Sequence, residues 1–246
     1  MTTPIPTQCV LCGLDRPLQN SHIIPEFLYD SLYDDMHRFH VLTTKDEERD
    51  RLEQKGYREK LLCAECEQRL GVFENYASRV MKGGAKLSGW KRDEDLITLE
   101  GVDYSLFKLF QLSILWRAGV SRGKFFHTVQ LGPHEPLIRQ MLLSKDPGPP
   151  DRYPCLMWGL TLEPGKTPGV IIPPCKFRLL GQLGYEFVFG GVVWRYIVTG
   201  HAAPRIVADC SVQPSGRLVL QVKSVAEHGP IAEFMRKRLQ RSRDIE

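Results

Sequence analysis

No apolar run in the chain approaches the roughly 18 residues that a helix needs to cross a bilayer, which argues against a membrane span. The opening MTTPIPTQCV lacks the basic stretch followed by an apolar one that marks a secretory leader, so a cytoplasmic location is expected by default. No internal repeat, phosphate-binding glycine loop or dinucleotide fingerprint is present, and no combination of Ser, Cys and His suggests a nucleophilic triad. A disulfide framework is missing as well. The seven cysteines (9, 12, 63, 66, 155, 175 and 210) are odd in number and include two tight C-x-x-C pairs. That pattern suits a metal and not a set of bridges. With 246 residues, 42% hydrophobic and 25% charged, the chain is an ordinary globular one, long enough for one generous domain or two modest ones.

The formal charge of +4 is unevenly spread. Residues 1–95 carry 14 Lys/Arg against 17 Asp/Glu, whereas residues 96–246 carry 19 against 12. Attraction to an anionic partner such as nucleic acid therefore has to come mainly from the second part.

Cys9, Cys12, Cys63 and Cys66 are the pattern of a structural zinc site. Each C-x-x-C places two sulfurs on one ion, and four sulfurs close a tetrahedral shell with no position left for substrate. Gly13, directly after the second cysteine, suits a backbone that curls around an ion. The pairs stand 50 residues apart, so one Zn2+ would fix the chain start to the foot of a later helix. A cysteine turn and a second pair at a helix start make a treble-clef arrangement, which is compatible with many functions. Cys155, Cys175 and Cys210 lie among apolar residues and read as buried thiols.

After Pro25 a helix is expected with Phe27, Leu28 and Leu32 on one side. RFHVLTT reads as a strand, and the polar run 46–60 as an exposed connection. The stretch from Leu61 to Gly84 is the clearest helical signal of the first half, with Leu70, Phe73, Tyr76, Ala77 and Val80 at three- and four-residue spacing and paired glycines as a stop. Residues 104–120 read as an apolar core helix and 134–143 as a short one. The period then changes to strands: CLMWGLTL, GVIIPP, KFRLL, YEFVFGGVVWRYIVTG and GRLVLQVKSV. IAEFMRKRLQRSR reads as a basic amphipathic helix. The expected fold is α+β: an N-terminal zinc domain over residues 1–95 and a C-terminal α+β domain over 96–246 with a largely antiparallel sheet.

Between the cysteine pairs stands Ser21-His22-Ile23-Ile24-Pro25. Together with Cys9, Cys12, Leu62, Cys63 and Cys66, this resembles the zinc-containing HNH, or beta-beta-alpha-metal, nuclease family over residues 9–80. The resemblance implies an endonuclease hydrolysing phosphodiester bonds, with His22 as the general base that deprotonates water. It also implies a Mg2+ or Mn2+ ion that stabilises charge on the leaving oxygen. The pattern departs from the family at three positions. Ser21 stands where an acidic residue or histidine usually precedes the base, Arg58 where an asparagine is usual, and Glu67 where a histidine follows the fourth cysteine. Glu67, supported by Glu74 or Asn75 along one helix face, is the expected carrier of the catalytic ion. DNA is the expected partner, and a homodimer or other protein partner is also possible. The alternative is a catalytically inactive zinc-stabilised module that binds nucleic acid or protein.

Other residues carry weaker signals. His37 and His40 flank Arg38 and Phe39 and could supplement the site. Arg117, Arg122 and Lys124 could meet phosphate. Arg236, Lys237, Arg238, Arg241 and Arg243 on the terminal helix could steer DNA or could simply complement a helix end. Trp158 and Trp194, in strand-like apolar runs, read as core aromatics.

Overall fold

The structure is a computed structural model, and it describes residues 8–41, 51–162, 170–229 and 232. The basic terminal residues Arg236, Lys237, Arg238, Arg241 and Arg243 lie outside the described residues. The fold is mixed α+β, with the expected large and mostly antiparallel sheet.

Three small strands and a hairpin partner precede the first helix: β1 (Leu18–His22), β2 (Phe39–Val41), β3 (Arg51–Glu53) and β4 (Arg58–Cys63). β1 and β4 pair antiparallel, with His22 opposite Arg58 and Ser21 opposite Glu59. β4 runs straight into α1 (Ala64–Met81), whose N-cap is Cys63. α1 buries Leu70, Phe73, Ala77 and Val80 of the stripe that its spacing predicts, together with Cys66, while Tyr76 is half-buried.

Of the run 46–60 expected as an exposed connection, residues 46–50 lie outside the described residues, and residues 58–60 belong instead to β4. Its polar residues are engaged across the fold. Lys60 donates to the Leu18 carbonyl at 2.9 Å, and the Glu59 carboxylate accepts from the Gly123 N–H at 3.0 Å, the Arg122 N–H at 3.0 Å and the Ser121 hydroxyl. The expected helix after Pro25 is also reduced, to a three-residue 3-10 turn over Glu26–Leu28.

β5 (Gly89–Asp93) and β6 (Leu96–Glu100) form a hairpin ahead of α2 (Tyr104–Val120) and α3 (His134–Ser144). There follow β7 (Cys155–Thr161), β8 (Ile172–Leu179), β9 (Gln182–Phe189), β10 (Val192–Ile197), the one-turn α4 (Arg205–Ala208) and β11 (Leu218–Ser224). The seven-stranded sheet has the order β5-β6-β11-β7-β10-β9-β8, and only the β11–β7 pair is parallel. GVIIPP and KFRLL are one strand, β8, kinked by an irregularity between Ile172 and Cys175.

α2 is the centre of the core because it is apolar nearly all round, as residues 104–120 predict. Asp103 caps it by accepting the Leu106 N–H at 2.9 Å. Phe110 meets Trp194 of β10 at 6.0 Å between ring centroids, and Phe27 at 5.9 Å on another side. One apolar cluster runs from Cys9 through Leu70, Phe107 and Trp194 to Leu218. That cluster draws on residues from both sides of the 95/96 line, which falls at the β5–β6 turn. Among the described residues, no helix is long and apolar enough to cross a membrane.

Candidate metal centre and the His22 cluster

The four expected cysteines converge. The Sγ atoms of Cys9, Cys12, Cys63 and Cys66 all lie within 4.8 Å of one another, and those of Cys12 and Cys63 are 3.9 Å apart. Four sulfurs at zinc-ligand distance around a tetrahedral centre stand roughly 3.8 Å apart, so this donor set is positioned to hold one metal ion. Gly13 adopts φ 76 and returns its N–H to the Cys9 carbonyl at 2.7 Å, closing the turn. The Val10 N–H reaches the Leu61 carbonyl at 3.1 Å, and Arg139 of α3 donates to the Leu11 carbonyl at 2.6 Å. Burial pushes the Cys9 and Cys66 thiols up. Burial acts on Cys63 in the same sense, but the Cys66 N–H and the neighbouring thiols outweigh it and hold Cys63 at about 7. Four thiolates this close repel one another unless a cation sits among them. Of the other three cysteines only Cys155 is buried; Cys175 and Cys210 are exposed, contrary to the expectation for all three.

His22 ends β1, one strand away from this clamp, and its ring meets a residue that the sequence reading passed over. Its Nε2 lies 2.6 Å from Glu26 Oε2. The other oxygen, Oε1, accepts the Tyr33 hydroxyl at 2.6 Å, and Arg58 Nη2 reaches Oε2 at 3.3 Å. His37 Nε2 stands 3.8 Å from Oε1, with its ring stacked on Tyr33 at 3.7 Å between centroids. The side chains of His22 and Glu26 are 25% and 37% exposed, so the cluster is open to solvent and solutes on one side. Burial, then the Arg58 charge, lowers the His22 pKa below its ordinary value, with Glu26 and Glu74 acting the other way. For Glu26, burial alone would raise the pKa, but the Tyr33 hydroxyl, His22 and Arg58 outweigh it and hold the carboxyl below the usual range. At neutral pH the cluster therefore pairs a neutral imidazole with an ionised carboxylate. The one cue for Glu26 was local: a carboxylate four residues after His22, across Pro25.

The expected carriers of a second ion behave differently. Glu74 Oε1 is bound by Arg117 Nη2 at 2.7 Å, and Arg117 is 1% exposed. Arg117 Nη1 also donates to the His22 carbonyl at 2.7 Å, and Nη2 to Ser113 Oγ at 3.2 Å. Arg117 is thus a buried rivet between β1, α1 and α2, and it does not present itself to phosphate. Arg122 is engaged with Glu59 and the Lys60 carbonyl. Glu67 is half-buried, and its Oε1 is buried with no hydrogen-bond partner among the described residues. Seven helical residues separate Glu67 from Glu74, roughly 10 Å along the axis, so the two do not sit side by side. Asn75 is exposed. Among the described residues, the four-cysteine set is the only group of three or more His, Cys, Asp or Glu ligands that converges in this way. Trp194 is buried as expected, while Trp158 is half-buried with Arg195 over its face at 4.6 Å.

No family model, no curated protein and no solved structure matches this chain.

Proposed function

We propose that the chain is a zinc-stabilised nuclease of the HNH, or beta-beta-alpha-metal, kind, hydrolysing phosphodiester bonds of DNA with His22 as general base. The observation that carries this reading is the 2.6 Å contact between His22 and Glu26 at the solvent-open end of a hairpin whose second strand runs into the cysteine-clamped helix. Four sulfurs gathered within 4.8 Å of one another are the donor set that zinc takes in closed structural sites. The metal in the clamp is therefore proposed to be Zn2+, a scaffold that fixes the β1–β4 hairpin against α1.

A neutral His22 takes a proton from water, and the resulting hydroxide oxygen bonds to phosphorus as the bond to the leaving oxygen breaks. Arg58, opposite His22 in the hairpin, places a positive charge beside the incoming phosphate. Mg2+ or Mn2+ is the proposed second cofactor; when bound it stabilises charge on the leaving oxygen. Of the two expected carriers, Glu67 is the one that would hold it, since Glu74 is committed to Arg117. Such ions are commonly held by one or two carboxylates together with the substrate's own phosphates. The net positive charge of residues 96–246 suits a polyanionic substrate.

The commitment of Glu74 to Arg117 favours a second reading, a non-catalytic module that binds nucleic acid or protein on the same scaffold. Supercoiled plasmid incubated with the protein, with and without Mg2+ or Mn2+, separates the two. Nicking that needs the ion and disappears in H22A supports the nuclease. Cutting retained in H22A rejects the base, and no cutting in either ion supports the module.

A further inference from the structure

We propose that Glu26 is the positioning residue of His22: its carboxylate accepts the Nε2–H, which fixes the ring in one tautomer and leaves the Nδ1 lone pair as the proton acceptor. The role of Nδ1 as a base rests on the nuclease reading, whereas the tautomer assignment rests on the contacts that Glu26 makes.

The proton between the two groups can be placed by counting donors. Glu26 already receives the Tyr33 hydroxyl on Oε1 and Arg58 Nη2 on Oε2. An ionised carboxylate is acceptor-only, so the proton in the 2.6 Å contact belongs to the ring. Arg58 cannot replace Glu26 in this role, because a guanidinium has no acceptor. Glu74 is not free to do so, because it is turned to Arg117. A neutral imidazole carries a single N–H. If that proton is on Nε2, the free lone pair is on Nδ1.

The surroundings of Glu26 hold it in place. Pro25 leads into the 3-10 turn, and Tyr33 reaches back from the following loop. Beyond Tyr33, Asp34 Oδ1 accepts the Met36 and Arg38 N–H groups at 3.0 and 2.8 Å, and Oδ2 accepts Arg38 Nε at 3.0 Å. This turn keeps His37 at φ 56, a region that non-glycine residues rarely occupy. The His37 ring is thereby stacked on Tyr33 and faces the same carboxylate. Strained backbone of this kind persists where its neighbours over-determine it, and it concentrates at functional sites. The His22 backbone is fixed independently by Arg117, so Glu26 acts on the ring while Arg117 acts on the main chain.

The test is the long-range 1H–15N spectrum of the imidazoles, with His22 assigned by difference from H22N. The wild type is expected to show an Nε2-protonated ring whose Nε2–H is downfield and protected from exchange at neutral pH. That proton should move upfield in E26Q, which keeps the shape but loses the charge, and be lost to exchange in E26A. A protonated Nδ1 in the wild type overturns the proposal, as does an Nε2–H unmoved in both variants. Amide spectra and metal content of each variant establish that it is folded. In plasmid cleavage, E26A should lose roughly 10- to 100-fold in kcat with KM nearly unchanged, the usual scale for a group that orients another. Wild-type protein that cuts nothing while the Nε2–H still responds to E26Q rejects the nuclease reading and supports the ring assignment.

Discussion

Replacing Glu74 with glutamine removes one charge from a buried pair and nearly nothing else. Arg117 is 1% exposed and keeps its neutral acceptors: the His22 carbonyl at 2.7 Å, the Ser113 carbonyl at 3.2 Å and Ser113 Oγ at 3.2 Å. It would lose its one anionic partner among the described residues, and stranding a buried charge typically costs about 3–5 kcal/mol. Glu74 is itself 23% exposed, so water can partly replace it, and glutamine retains one acceptor oxygen. The expected cost is therefore at the low end, roughly 2–3 kcal/mol. With a urea slope of about 2–3 kcal/mol/M, the unfolding midpoint should fall by around 1 M with the slope unchanged. The double variant E74L/R117M should recover most of this loss, because an apolar pair of similar volume has no charge to solvate. A shift below about 0.3 M in E74Q would refute the reasoning. Loss of Mn2+ binding in E74Q with stability intact would return Glu74 to the role that the sequence suggested.

Two further outcomes follow from buried groups elsewhere. Metal analysis should find about one zinc per chain, and a strong chelator or C63S should lower the melting temperature, since a structural ion contributes folding free energy directly; metal-free protein with an unchanged melt would exclude the clamp. Lys108 is 2% exposed and donates to the Tyr104 hydroxyl and the Pro149 carbonyl, and burial lowers its pKa to about 7, with Asp151 and Asp146 only partly offsetting this. Between about pH 7 and the ordinary lysine value near 10.4, the unfolded chain binds a proton that the folded one does not, so stability should rise with pH by up to ~1.4 kcal/mol per unit. Urea midpoints at pH 7 and pH 9 should differ less in K108M than in wild type; equal differences would show that Lys108 does not titrate this way.

What could be read in advance divides along a physical line. α2 was legible because its signal is local: an unbroken run of residues that are apolar on nearly every side. α1 declared itself by its 3.6-residue stripe, and the clamp by two cysteine pairs whose chemistry leaves few other uses. β4 was not legible. Arg58, Glu59 and Lys60 look solvated in the sequence, yet each is paired with a group far along the chain: Glu26, residues 121–123 and Leu18. Polar complementarity across long loops has no periodicity to detect. The same holds for Arg117, which resembled a phosphate ligand on a helix end and is buried because Glu74 and the His22 carbonyl wait for it. β5 and β6 were lost for another reason. β5 is largely exposed on the sheet edge and β6 is half-buried at four successive positions, so neither shows the alternation that marks a half-buried strand.

The position of His22 is set twice over, and the two supports differ in what removes them. The clamp fixes the hairpin to the foot of α1, because β4 ends at Cys63, which is both a sulfur donor and the N-cap of the helix. Arg117 fixes the other end of the same hairpin to α1 and α2 through the His22 carbonyl and Glu74. Loss of metal leaves Arg117 in place, with α2 packed in the common core, so His22 should keep its contact with Glu26 while the cysteine turn loosens. Loss of the Arg117–Glu74 pair leaves the sulfurs in place but frees the His22 main chain. A chelator should then affect overall stability more than the His22 ring, and R117M should disturb the ring signal while the protein keeps its metal. The reverse pattern, with the ring signal following the metal and indifferent to Arg117, would mean that the clamp alone positions the histidine.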